Sequence, residues 1–143
     1  MFERTLFHAM RALLQEHTAL WVSLEPDLTK PQYAVLEALA QKREMDQVSL
    51  GRASATTKAT LTEMLRRMEQ RGLIERQACK SDARQKHVRL TPAGLEKLIQ
   101  ARATANAVSG EFLTSLSEEE HETLLNLIQK MRQSPFAKSD QTP

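Results

Sequence analysis

This sequence has almost no cysteine. Cys79 stands alone, so no intrachain disulfide can staple the fold. Aromatic residues make up only 4% of the chain, which argues against a β-sandwich and for an aliphatic, helix-rich core. No apolar run approaches the roughly 18 residues of a membrane helix. The opening MFERTLFHAM is charged early and lacks the apolar core and cleavage site of a secretion signal, so a cytoplasmic protein is expected. The four glycines form no phosphate-cradling loop, and there is no HExxH and no CxxC pair. No Ser/His/Asp set has a credible local context, and the four histidines are scattered. Neither an enzyme, a cofactor nor a metal site is expected.

What is present is a basic centre. Residues 43–92 carry eleven Lys and Arg against six Asp and Glu, a net of +5, while the remainder carries nine against twelve, a net of −3. A basic centre between acidic flanks is the footprint of a nucleic-acid surface in a more neutral scaffold.

The periodicity is helical at both ends. Phe2 to Leu24 places Leu6, Met10, Leu13, Leu14, Leu20, Trp21 and Leu24 at helical spacing, and Pro26 ends the run. Thr29-Lys-Pro-Gln32 reads as a capping box opening a second helix to about Gln41. Asp46 reads as the cap of a short helix, Gln47 to Ala53, buried through Val48 and Leu50. After Ala53-Ser-Ala55, Thr56 or Ser54 is expected to cap a helix that runs to about Arg71 and stops at Gly72. The period then changes to two. Leu73 to Cys79 and His87 to Leu90 read as a hairpin around a polar loop. Thr91-Pro92 opens a long helix to about Thr114, and Ser117-Glu-Glu-Glu120 caps the last one. The fold class is mainly α with a small β-hairpin wing: a winged helix-turn-helix flanked by helices.

The third helix of this cluster carries the functional expectation. Leu61, Met64, Leu65 and Met68 share one stripe, and Ala59, Glu63, Arg66 and Gln70 lie opposite, with Thr60, Thr62 and Arg67 beside them. Entering a major groove end-on, threonine and alanine would touch thymine methyls and Glu63 would accept from a cytosine amine. Arg66 and Arg67 would hold phosphates. Thr56, Thr57 and Lys58 lead into that helix and join the expected DNA contacts. In the hairpin, Lys80, Arg84 and Lys86 are placed to reach a minor groove, with Asp82 orienting Arg84. The competing readings are a solvated helix face and a merely soluble turn.

Four ordered pieces resemble the MarR family of bacterial regulators. They are Leu28-Thr-Lys-Pro-Gln-Tyr-Ala-Val-Leu36, Glu69-Gln-Arg-Gly-Leu-Ile-Glu-Arg76, Asp82-Ala-Arg84, and Val88-Arg-Leu-Thr-Pro-Ala-Gly94. The resemblance implies a homodimer on near-palindromic double-stranded DNA, with the recognition helix in the major groove and Arg84 in the minor groove. It also implies a repressor released by a ligand. Two departures stand out: Glu63 replaces the basic residue of many relatives, and the turn has no glycine. The first forty residues are similar to the branch that senses hydroxylated aryl carboxylic acids, such as hydroxybenzoate-like or hydroxynicotinate-like compounds.

The flanking helices are too apolar for one winged helix to bury, which points to a homodimer. Residues 1–28 and 92–136 form the expected dimerisation region, residues 29–91 the DNA-binding region, and residues 137–143 a flexible tail. A small aromatic acid would need a cationic donor and apolar walls, for which Phe7, His8, Arg11, His17, Trp21 and Tyr33 are the candidates. His17 and Trp21 fit equally well as packing residues. His8 lies about 180° from His17 on the helix, so the two cannot share a metal. A redox alternative makes Cys79, beside Lys80, the switch, although redox-sensing relatives generally carry that cysteine in the first helix. A winged helix used only for protein contacts is the remaining alternative.

Overall fold

The structure is a computed structural model and describes residues 1–78 and 86–136. A short 3₁₀ turn at Phe2–Arg4 precedes α1, Leu6–Leu24. Next come α2, Lys30–Lys42; β1, Glu44–Asp46; α3, Gln47–Ala53; and α4, Lys58–Gln70. Strands β2, Ile74–Ala78, and β3, Lys86–Leu90, lead into α5, Pro92–Leu113, and α6, Glu118–Arg132. Among the described residues no helix is long and apolar enough to cross a membrane.

Local chemistry explains most of the boundaries. Thr29 and Gln32 bond reciprocally in the expected capping box, and Ser117 with Glu120 repeats it at α6. Asp46 accepts from the Ser49 N–H at 2.8 Å and opens α3. Gly72, at φ 77°, stops α4 in the left-handed region that glycine tolerates.

Three details differ from the sequence expectation. The cap of α4 is Thr57, which accepts from the Thr60 N–H. Ser54 and Thr56 lie inside the turn, where their hydroxyls donate back to the Leu50 and Ser54 carbonyls. Val48 is 56% exposed, whereas Leu50 is fully buried. Asp46 fixes the phase of α3, and residues two apart on a helix point to nearly opposite sides. Finally, the sheet has three strands in the order β1-β3-β2, all antiparallel. Glu44-Met-Asp46 is too short to show a period, and only pairing with β3 makes it a strand: Met45 faces Val88 across the ladder and packs on the core.

The core lies where α2, α3, α4, the sheet and the first half of α5 meet. Val35, Leu36, Leu39, Leu50, Leu65, Met68, Val88, Leu98 and Ala101 are all fully buried there. α1 reaches this body through Trp21, whose indole N–H donates to the Leu28 carbonyl at 2.6 Å. It also reaches α5 through Glu25, which accepts from Lys97 Nζ at 3.0 Å and from the Thr104 hydroxyl at 3.2 Å. Much of α1 is open: Leu6, Phe7, Leu13, Leu14, Val22 and Leu24 are exposed, and α6 buries none of its residues within the chain.

One junction holds α5 to the sheet. The Thr91 hydroxyl donates to the Gly72 carbonyl at 2.6 Å and accepts from the Gly94 N–H at 2.9 Å. The Thr91 N–H donates to the Leu73 carbonyl. A methyl group on Gly94 would overlap that same Leu73 oxygen and press on the Leu90 side chain. We expect Gly94→Ala to destabilise the fold by about 3 kcal/mol, the upper end of overpacking costs. Urea unfolding checks this, and an unchanged midpoint would refute it.

Candidate nucleic-acid interface

The apolar stripe of α4 is fully turned inward: Leu61, Met64, Leu65 and Met68 are at most 7% exposed. The opposite side is open along its length, from Lys58, Ala59 and Thr60 to Glu63, Arg66, Arg67 and Gln70. Thr62 is exposed but tied down, donating to the Lys58 carbonyl and accepting from Gln47 Nε2 at 3.1 Å. Thr56 is half-buried in the turn, while Thr57 caps the helix. The front of this face is therefore small and uncharged apart from Lys58, and charge is concentrated further back.

That charge is internally organised. Glu63 accepts from Arg66 Nε at 3.1 Å and Nη2 at 2.6 Å, and from Arg67 Nε at 3.2 Å. The Arg66 bonds hold its carboxyl down at about 2. Glu63 is thus engaged with both arginines and orients their two guanidinium groups. On the wing, Arg76 pairs with Glu69 and Arg89 with Glu75 at 3.0 Å each. Among the described residues, Lys58 and Lys86 are exposed cations with no carboxylate partner. Cys79, Lys80, Asp82 and Arg84 lie outside the described residues, as do residues 137–143.

The six effector candidates separate into three places. Phe7 and Arg11 line an open trough along α1 with Met10, Leu14, Gln15 and Thr18. The His8 ring stacks 4.2 Å from Phe2. His17, Trp21 and Tyr33 come together where α1 crosses α2. There the Lys30 ammonium donates to His17 Nδ1 at 3.0 Å, and one turn further along the Trp21 ring meets Tyr33 at 5.2 Å. From α5, the Phe112 ring stands 5.6 Å from His17. Burial, and then the Lys30 charge, hold the His17 imidazole below its ordinary value; burial also lowers Lys30. The Tyr33 hydroxyl donates to Glu37 Oε2 at 2.6 Å, and Arg102 clamps the same carboxylate at 2.8 Å.

Comparison with known proteins gives the frame for this geometry. The model of the MarR family matches residues 28–86. The chain is 49% identical over 125 residues to transcriptional regulator HosA of Escherichia coli O127:H6, covering 87% of this chain and 93% of HosA. The chain belongs to the MarR family. Like the matched MarR relatives, it is a transcriptional regulator and not an enzyme. Among solved MarR-like structures, Bordetella bronchiseptica BpsR, described for regulation of its DNA binding by 6-hydroxynicotinic acid, superposes with a TM-score of 0.88. It is 26% identical and covers 94% of this chain and 97% of its own. A variant of Escherichia coli MarR complexed with operator DNA gives a TM-score of 0.80 at 26% identity, covering 88% and 92%.

Sequence reasoning did not find Lys30, Glu37, Arg102 or Phe112. Tyr33 and Glu37 are four apart on one helix, a spacing that signals contact. The other three are brought in by packing between helices, which leaves no local signature. The chain has one tyrosine, so its ionisation can be followed directly. Burial, and then the bond to the Glu37 carboxylate, push the Tyr33 hydroxyl up to about 12 from an ordinary 10. Absorbance at 295 nm should therefore show Tyr33 still protonated at pH 11, with circular dichroism confirming that the helices persist, and Glu37→Gln should bring the transition down. An ordinary midpoint in the folded protein would refute the network.

Proposed function

We propose that this chain is a homodimeric repressor that binds near-palindromic duplex DNA and is released by a small aromatic carboxylic acid. The observation that carries the DNA reading is the division of α4. Its four apolar residues are committed to the core, so the face holding Lys58, Ala59, Thr60, Arg66 and Arg67 is a fixed, solvent-facing surface. Such a surface fits a major groove, with methyl-bearing residues in front and guanidinium groups behind. In this reading Glu63 keeps Arg66 and Arg67 extended as a pair and lowers their attraction to random phosphate. Thr57, Thr62 and Lys86 flank the contact. On sequence alone, Lys80, Asp82 and Arg84 are proposed for the neighbouring minor groove.

The dimer follows from unmatched apolar surface. Leu6, Leu13 and Leu14 on α1 and Leu124, Leu125, Leu127 and Met131 on α6 are each between 43% and 58% exposed. Covering the exposed half of such a side chain contributes about 1 kcal/mol, and a two-fold partner offers the same surface in return. Residues 1–28 and 92–136 would hold the dimer and residues 29–91 would read DNA. The effector class rests on the His17, Trp21 and Tyr33 cluster, where cations and rings meet, and on the likeness to BpsR.

Fluorescence anisotropy on a duplex from the chain's own upstream region tests this reading. Binding should weaken steeply with salt, because phosphate contacts release counterions, and 6-hydroxynicotinate should displace the protein. Arg66→Ala should weaken binding to all duplexes alike and lower the salt slope by about one. Glu63→Gln should raise affinity for unrelated duplexes and steepen the salt dependence. Absence of salt-sensitive binding to any palindromic duplex would sink the proposal.

A further inference from the structure

The hairpin leaves the core at one rung of its ladder. Side chains along β2 and β3 alternate between the two faces of the sheet. The inner face holds Ile74, Arg76 and Ala78, opposite Leu90, Val88 and Lys86. Ile74 and Val88 are buried, while Ala78 and Lys86 are exposed. Arg76 therefore stands where the sheet parts from the lobe, on a face that up to that rung belongs to the core. A cation so placed needs a partner, and Glu69 in the last turn of α4 provides it. Arg76 donates to Glu69 Oε1 from Nε at 3.2 Å and from Nη2 at 3.0 Å. Its side chain is only 18% exposed, against 49% and 66% for the two arginines on Glu63. The pairs on the outer face do something different: Arg89 with Glu75 and His87 with Glu44 join strand to strand. Among the described residues, Arg76 with Glu69 is the ion pair that joins the hairpin to α4.

We propose that Arg76 is a positioning residue for DNA recognition: held on Glu69, it fixes the angle between the wing and α4, and with it the spacing of the contacts made in two neighbouring grooves. The inference rests on the proposal that α4 enters the major groove and the wing the minor one, and adds the part that sets their spacing. β1 pairs with β3 only from Arg89 to His87, so the Ala78–Lys86 rung is two-stranded. A two-stranded ribbon has little rigidity of its own. Its direction is decided at the last rung attached to the lobe, which is that of Arg76, and Lys86 on the next rung moves with it. Two N–H groups of one planar guanidinium, both on one carboxylate oxygen, restrict this pivot in a way that an ammonium would not. A wing already set at the right angle needs no ordering at the moment of contact, whereas ordering a loose segment costs affinity.

Dimethyl sulfate footprinting separates the two grooves, because it methylates guanine N7 in the major groove and adenine N3 in the minor groove. The full chain is bound to the duplex from its own upstream region, well below the unfolding midpoint, which circular dichroism records for each variant. The wild type should protect both atoms in each half-site. Glu69→Gln and Arg76→Gln should keep the guanine N7 protection and lose the adenine N3 protection, with affinity lowered about tenfold by the added ordering. The exchanged pair, Glu69→Arg with Arg76→Glu, should bring the adenine protection back. Glu69 is the more exposed partner, so Glu69→Gln keeps the test available should Arg76→Gln fail to fold. Protection lost from both grooves together, or adenine N3 protection unchanged in Glu69→Gln, overturns the positioning role and leaves the DNA reading standing. A wild type that protects guanine N7 alone removes the wing from that reading, and one that protects neither atom removes the reading itself; either result takes the positioning role with it.

Discussion

The close approach of α5 to the sheet sets the geometry on which the rest depends. Thr91 is bonded to the backbone at Gly72 and Leu73, and Gly94 leaves room for the Leu73 carbonyl where any side chain would collide. The constraint fixes the angle at which a 22-residue helix leaves the reading lobe. Everything further along α5 inherits that angle: Lys97 on Glu25, Arg102 on Glu37, and Phe112 against His17. The Thr-x-x-Gly spacing in the last of the family-like pieces is thus a packing requirement with a visible cause.

α2 is the element shared by both ends of the proposed mechanism. Its inner face, Val35, Leu36 and Leu39, belongs to the core that supports α4. Its first turn and outer face present Lys30, Tyr33 and Glu37 to α1 and α5. Coupling needs only that the effector bind one setting of α2 better than another, since a ligand shifts an equilibrium by its differential affinity alone.

Much of the fold was legible in the sequence. The α4 stripe follows from helical phase, and the caps at Thr29, Asp46, Thr91 and Ser117 follow from short-range hydrogen bonding, which a sequence displays directly. What was hidden is what depends on distant partners. Strand β1 exists because Glu44 to Asp46 find Arg89 to His87. The exposure of Val48 reflects a seven-residue helix too short for its apolar residues to define a face. Lys30 meets His17 across two helices, a contact no local spacing encodes. The Glu63 clamp is the reverse case: its i+3 and i+4 arginines were visible, and the competition between a base and those neighbours decides its part.

The central claim is that two copies of α4 read DNA together and an aryl acid lifts them. Hydroxyl-radical footprinting on the chain's own upstream region tests it most directly, run with and without 6-hydroxynicotinate. Two protected half-sites are expected about one helical turn apart, roughly 10 base pairs centre to centre, both fading together as the acid is added. A single protected half-site, or a pair that persists at saturating acid, would contradict it.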